Sequence, residues 1–292
     1  MSKHFGTFIS YLAAFAIAFI ASYYIFKLAP VGVKTSGPAA VAESTRSAQG
    51  DVLADILKRG ELRVGMDVGY MPFEMRNKQG DIIGFDVDMM TAAAKSMGVK
   101  LKLVNTNWDG IIPALLTKKF DIIASGMTVT QERNLKINFA NPYIHVGQTI
   151  LLKKELENEV KSYRDLNHKK YVVASKLGTT GEQAIKRMIP RATYLSYDTE
   201  QEGSLEVITG RVDAFVYDLP FQTIMASDKG KGKVVHLDTP FTFEPLGWAI
   251  RQSDPNFLNW LDNFLYQAKN DGTYDKIYAK WFKSVEWRKN IQ

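Results

Sequence analysis

From residue 51 to the C-terminus, short apolar runs bounded by charged or turn residues alternate with longer stretches whose apolar positions recur every three or four residues. The first kind suits a strand buried in a sheet, the second a helix with one face against it. On this reading a helix spans 52–58 and closes at Gly60, and a strand spans 62–66. A helix over 85–97 ends at Gly98, followed by a strand over 101–104, a helix over 110–117 and a strand over 120–124. A second series has strand 171–175, helices 181–188 and 201–209, strand 212–216, helix 219–226 and strand 233–237. Residues 256–269 and 274–283 read as helical and are rich in aromatics. Strands and helices in alternation predict an α/β protein with mainly parallel sheets. Two series of similar size predict two lobes.

The first 50 residues break the pattern. Residues 5–26 form an uncharged, mostly apolar run of 22 residues preceded by Lys3. That is long enough for a bilayer, which takes about 20 residues, and longer than a signal-peptide core of about 7–15. Residues 1–30 are therefore expected to be a signal peptide or an N-terminal membrane anchor, a transmembrane helix. Ala40-Val41-Ala42 is a candidate cleavage triplet, and 31–50 is a flexible linker. Either outcome puts the body outside the cytoplasm, in the periplasm or at the cell surface.

Charge and composition narrow the functions. The chain of 292 residues has a net charge of +6, but the first 50 residues carry half of it. The body has mixed signs and no basic stripe for nucleic acid. There is no cysteine, which removes disulfides, thiol catalysis and thiolate metal sites. His4, His145, His168 and His236 lack metal-ligand spacing, so neither metal nor cofactor is expected.

In open α/β sheets ligands sit beyond the carboxyl ends of strands, and the chemically suggestive residues fall there. Asp67 to Phe73 follow the first strand, and Trp108 follows 101–104. SGMTVTQER (125–133) follows 120–124, Lys176 to Gly181 follow 171–175, and Asp218 follows 212–216. The Arg133 guanidinium can hold a carboxylate bidentately, with Thr128 and the N–H groups of a helix starting near Thr130 completing the shell. The plainer alternative is a solvated arginine beside a threonine cap. Asp218, before Leu219-Pro220, can bind an ammonium group or cap a helix. Tyr70, Phe73 and Trp108 can wall a small ligand or fill core. Gly178-Thr179-Thr180-Gly181 lacks the Gly-Lys-Ser/Thr ending of a phosphate loop and reads as a helix start rich in N–H groups and hydroxyls. Asp86 and Asp88 read as solvated first-turn carboxylates. No nucleophile–base pair stands out.

Five segments in this order resemble one known group: GFDVDMMTAAA (84–94), DGIIPALLTKKFDIIASGMTVTQER (109–133), GTTGEQA (178–184), VDAFVYDLP (212–220) and DGTYDKIYAKWF (271–282). Over about 61–283 the chain is similar to bacterial solute-binding proteins of the polar amino-acid class, family 3, the external receptors of ABC importers. The resemblance implies the two-lobed type II periplasmic binding protein fold. Lobe 1 would comprise 51–143 and 245–292, and lobe 2 144–244, with hinge crossings near 143–147 and 242–246. It also implies hinge closure on an amino acid, delivery to a membrane permease, a monomer, and no catalysis.

The resemblance assigns roles residue by residue. Arg133 would take the ligand α-carboxylate, helped by Thr128 and the Gly126 amide from lobe 1 and Thr180 from lobe 2, with Ser125 and Thr179 beside them. Asp218 would take the α-ammonium, and Tyr70 and Trp108 would be aromatic walls. Asp67 and Lys176 would face the ligand side chain. Lys176 would repel a basic side chain and Asp67 an acidic one, whereas an amide satisfies both. This ranks glutamine first, glutamate or aspartate second and basic amino acids third. Two alternatives use the same fold. One is a cyclohexadienyl or arogenate dehydratase-like enzyme with Glu182 as pocket acid or base. The other is a membrane-tethered amino-acid sensor, which the end of the chain at Gln292 disfavours.

Overall fold

The computed structural model describes residues 51–291 except Ser253. The signal or anchor expected at 1–30 and the linker at 31–50 lie outside the described residues. In chain order the first strands are β1 Glu61–Met66, β2 Met75–Arg76, β3 Ile82–Ile83, β4 Lys100–Asn105, β5 Ile122–Ile123, β6 Ile137–Phe139 and β7 Ile144–Val146. They are followed by β8 Gln148–Lys153, β9 Val172–Lys176, β10 Thr193–Tyr197, β11 Ala214–Asp218, β12 Val234–Leu237, β13 Glu244–Leu246 and β14 Ala249–Arg251. One lobe is built on the sheet β4-β1-β5-β14-β6 and the other on β10-β9-β11-β8-β12. In each, three parallel strands are extended by an antiparallel one, β14 or β8, and a last strand beyond it.

Local chemistry explains the elements. β11 (AFVYD) is buried at every position, as a strand covered on both faces must be. Helix Val52–Arg59 is capped by Asp51 and closed by Gly60 at φ 70°, whose N–H returns to Ile56 and Leu57 carbonyls. Thr130, Thr179 and Thr199 each cap a helix by accepting the N–H three residues on. Helix Phe85–Met97 has the expected bounds. The hairpin β2–β3 and strands β6, β8, β10 and β14 were not expected. The segment expected to be one helix over 274–283 is α-helical over Thr273–Tyr278 and π-helical over Ala279–Lys283.

The chain leaves the first lobe through β7 and returns through β13. The two pair antiparallel, with Glu244 opposite Val146 and Leu246 opposite Ile144, which makes a two-segment hinge. Thr128 bridges to Leu246 and the Val129 N–H donates to Pro245 O at 2.8 Å, so the loop after β5 is fastened to the hinge. Phe73 is fully buried and packs edge-on against Phe85 and Phe282. It fills the core rather than walling a ligand.

Candidate functional site

Both lobes send strand ends into one cavity. Asp67, Tyr70 and Trp108 enter from the first lobe with Ser125, Gly126, Thr128 and Arg133, and Lys176, Thr179, Thr180 and Asp218 enter from the second. The structure thus brings all eleven candidate residues together. Tyr217 lines the same space, and so do Glu74 and Gln148, which were not expected there. The lobes touch across it: the Tyr70 hydroxyl donates to Asp218 Oδ2 at 2.5 Å, and the Trp108 indole donates to Gly178 O at 3.0 Å. The Gln201 amide also reaches Gly69 O.

One corner is suited to a carboxylate. Arg133 is only 8% exposed and lies over the Trp108 ring at 5.3 Å. It donates from Nη1 to Thr128 O at 2.8 Å and from Nη2 to Gly178 O at 3.4 Å. Burial lowers its pKa, opposed by the charges of Glu244 and Asp218. The Thr128 and Thr180 hydroxyls approach to 3.5 Å from opposite lobes. The Gly126 N–H is already committed, donating to Asp86 Oδ2 at 2.9 Å. Asp86 is fully buried rather than solvated and also accepts from the Tyr143 hydroxyl at 2.9 Å. Burial pushes its pKa up to about 6, against the bonds from Gly126, Tyr143 and Trp248. What Gly126 contributes is shape: its φ is +53°, and a Cβ there would enter the Tyr70 ring. Gly126→Ala should therefore weaken ligand binding at least about tenfold and lower stability by about 1–3 kcal/mol. Titration and thermal melting read both, and wild-type values would contradict this packing. Thr179 serves its helix, donating to Lys176 O at 2.7 Å and accepting the Glu182 N–H.

A second corner is suited to an ammonium group. Asp218 accepts from Tyr70 and, at 2.6 Å, from Gln148 Nε2. Burial drives its pKa up to about 7, although the Tyr70 hydrogen bond favours the ionised form. The phenol of Tyr70 is itself raised well above its ordinary value by burial and the Asp218 charge, so it donates. Gln148 Oε1 is buried and has no partner among the described residues.

At the far end, Lys176 is 3% exposed. Its ammonium donates at 2.6 Å to Asp67 Oδ2 and at 2.6 Å to Glu200 Oε2. Burial lowers the Lys176 pKa, but Glu200 and Asp67 outweigh it and the net shift is upward. Lys176 is therefore a neutralised cation, and the expectation that it repels basic ligands does not hold. Glu200, 1% exposed, opens helix Glu200–Ile208; its sequence signal was only that of a first-turn acid. Glu74 is fully buried and accepts the Ser125 hydroxyl at 2.6 Å. The Ser125 Oγ in turn accepts the Asp67 N–H at 2.9 Å.

Compared with known proteins, residues 62–284 match the model of bacterial extracellular solute-binding proteins, family 3. The chain belongs to that family. A solved binding component of an ABC transporter from Wolinella succinogenes DSM 1740, complexed with lysine, is 55% identical. That match covers 80% of this chain and all of the other, with a TM-score of 0.77. The ABC transporter arginine-binding protein 1 of Escherichia coli (strain K12) is 30% identical over 76% of this chain and 90% of its own length. The ABC transporter glutamine-binding protein GlnH of Bacillus subtilis (strain 168) is 29% identical over 92% and 97%.

As a solute-binding protein it holds its ligand rather than transforming it. Glu182, the candidate acid of the enzymatic alternative, is not on the cavity wall. Its Oε2 accepts the Gly178 N–H at 2.6 Å and its Oε1 pairs with Lys186, so it closes a helix start. No helix among the described residues is long and apolar enough to cross a membrane.

Proposed function

We propose that this protein captures an L-amino acid with a positively charged side chain by closing its lobes about the β7–β13 hinge, and hands it to an ABC importer permease. The lobes would be 51–143 with 245–292, and 144–244, acting as a monomer. One observation carries the ligand class: Asp67 and Glu74 line the cavity, joined through the Ser125 hydroxyl, and the Lys176 ammonium is shared between Asp67 and Glu200, so carboxyl groups outnumber the ammonium there. Arg133 with the Thr128 and Thr180 hydroxyls would receive the α-carboxylate. Asp218 and the unpartnered Gln148 Oε1 would receive the α-ammonium. The relatives named for arginine and solved with lysine support this reading. Glutamine, first by residue type alone, comes second, supported by the relative named for it.

Energetics favour enclosure. A micromolar Kd is about 8 kcal/mol, which for roughly ten ligand heavy atoms is about 0.8 kcal/mol per atom, high against a ceiling of about 1.5. Contacts from both lobes are needed to reach it. Thermal melting of protein stripped by unfolding and refolding tests the reading across the L- and D-amino acids. At 1,000 times Kd a ligand adds about 4 kcal/mol, or roughly 8–16 °C for a protein of this size. Lysine or arginine should give the largest shift, and no shift with any amino acid would contradict amino-acid capture.

Affinity should also depend on pH. An α-ammonium favours ionised Asp218, so binding lowers a pKa that burial pushes up to about 7 and expels the proton. For a ligand with a neutral side chain such as glutamine, affinity should fall by up to about tenfold per unit as pH drops below about 7, and level off above about 8. A flat titration profile from pH 8 to 5.5 would remove Asp218 from this role.

A further inference from the structure

Glu74 lies on the loop between β1 and β2, fully buried yet on the cavity wall. Its Oε1 accepts the Ser125 hydroxyl at 2.6 Å, while its Oε2 is buried without a hydrogen-bond partner among the described residues. A buried carboxylate oxygen with no donor is destabilising, and such atoms are rare enough in native folds to call for a reason. The charged groups facing it deepen the problem. Burial first, then Asp86 from helix Phe85–Met97, Asp67 after β1 and Glu200 from the second lobe, hold Glu74 well above the ordinary carboxylate range, with only the Ser125 bond opposing. The Tyr143 and Tyr217 phenols near it are themselves kept protonated by burial. The neighbouring cations are committed elsewhere, Lys176 to Asp67 and Glu200 and Arg133 to two backbone carbonyls.

We propose that Glu74 is the specificity-determining residue of this cleft, its unpartnered oxygen receiving the ammonium or guanidinium at the tip of the ligand side chain while Ser125 fixes the other oxygen. This rests on the reading of the ligand as a cationic amino acid. Through its single hydroxyl, Ser125 holds Glu74 and the backbone of Asp67 together, so both carboxylates are positioned before the ligand arrives. The incoming cation supplies the missing counter-charge. Glu74 then ionises and its proton passes to solvent, whereas a neutral side chain leaves the carboxyl protonated. A lysine ligand should therefore release more protons on binding than glutamine does.

The test is calorimetric titration of the full chain with L-lysine and L-glutamine, in buffers of different ionisation enthalpy, for wild type and Glu74→Gln. The lysine-to-glutamine affinity ratio should fall at least about 30-fold in the variant, as for removal of one partner from a buried charge pair. The extra proton released with lysine should disappear. Glu74→Asp, which keeps the charge, should retain the proton release and part of the preference, and it decides the matter if Glu74→Gln does not fold. An unchanged ratio and proton count in Glu74→Gln would overturn the proposal while leaving the cationic reading standing. Wild-type protein that binds neither lysine nor arginine would overturn that reading itself, and Glu74's role with it.

Discussion

Arg133→Ala is expected to abolish amino-acid binding while leaving the fold in place. The guanidinium sits on the wall of the cavity, 8% exposed, held in plane by the Thr128 and Gly178 carbonyls and by the Trp108 ring. A carboxylate arriving there meets a cation whose orientation is already fixed and whose water has been removed. Losing one partner of such a pair costs about 2–5 kcal/mol of affinity, roughly 30- to 5,000-fold, enough to take a micromolar receptor out of its working range. The protein itself loses two hydrogen bonds to backbone carbonyls, one of them long, at about 1 kcal/mol each. Thermal melting should show a drop of only a few degrees. Arg133→Lys should not restore binding, because an ammonium cannot reproduce the planar fork. Wild-type affinity in Arg133→Ala would mean that the carboxylate corner lies elsewhere.

Lys176→Met should act on stability instead. It strands Asp67 and Glu200, and Glu200, at 1% exposed, has no route to water, while the Asp67 side chain at 18% is partly screened. Breaking a buried ion pair costs about 3–5 kcal/mol, or roughly 6–20 °C for a protein of this size. The lost charge is one that a cationic ligand can replace, so lysine should raise the melting temperature of the variant more than that of the wild type. A fall of less than about 2 °C would show that the Asp67–Lys176–Glu200 arrangement carries little. Equal rescue by glutamine would argue against a cationic ligand.

How far the sequence spoke depends on the range of the interaction concerned. Helix Phe85–Met97 was readable because its apolar spacing and Gly98 are local signals. The strand ends were readable too, since the position of Arg133 or Asp218 after an apolar run follows from parallel topology. Asp86 was misjudged because its meaning is not local: a first-turn carboxylate is ordinarily solvated, and nothing in FDVDMM shows that Gly126, Tyr143 and Trp248 close over it. The same holds for Lys176, whose charge reads as available until Glu200 comes to within 2.6 Å from a different segment. Glu74 and Gln148 were hidden in apolar surroundings, PFEM and GQTILL, where a polar residue draws no attention until a cavity opens beside it. The edge strand β10 is largely exposed and carries little of the apolar signal that marks a buried strand.

The most direct measurement is calorimetric titration of refolded, ligand-free protein with L-lysine, L-arginine, L-glutamine and cadaverine, the last being lysine without its α-carboxylate. Lysine or arginine should bind at micromolar Kd or tighter and glutamine at least about tenfold more weakly. Cadaverine should not bind measurably, since it gives Arg133 nothing to hold. Tighter binding of glutamine than of either basic amino acid, or cadaverine binding as well as lysine does, would contradict the reading of this cleft.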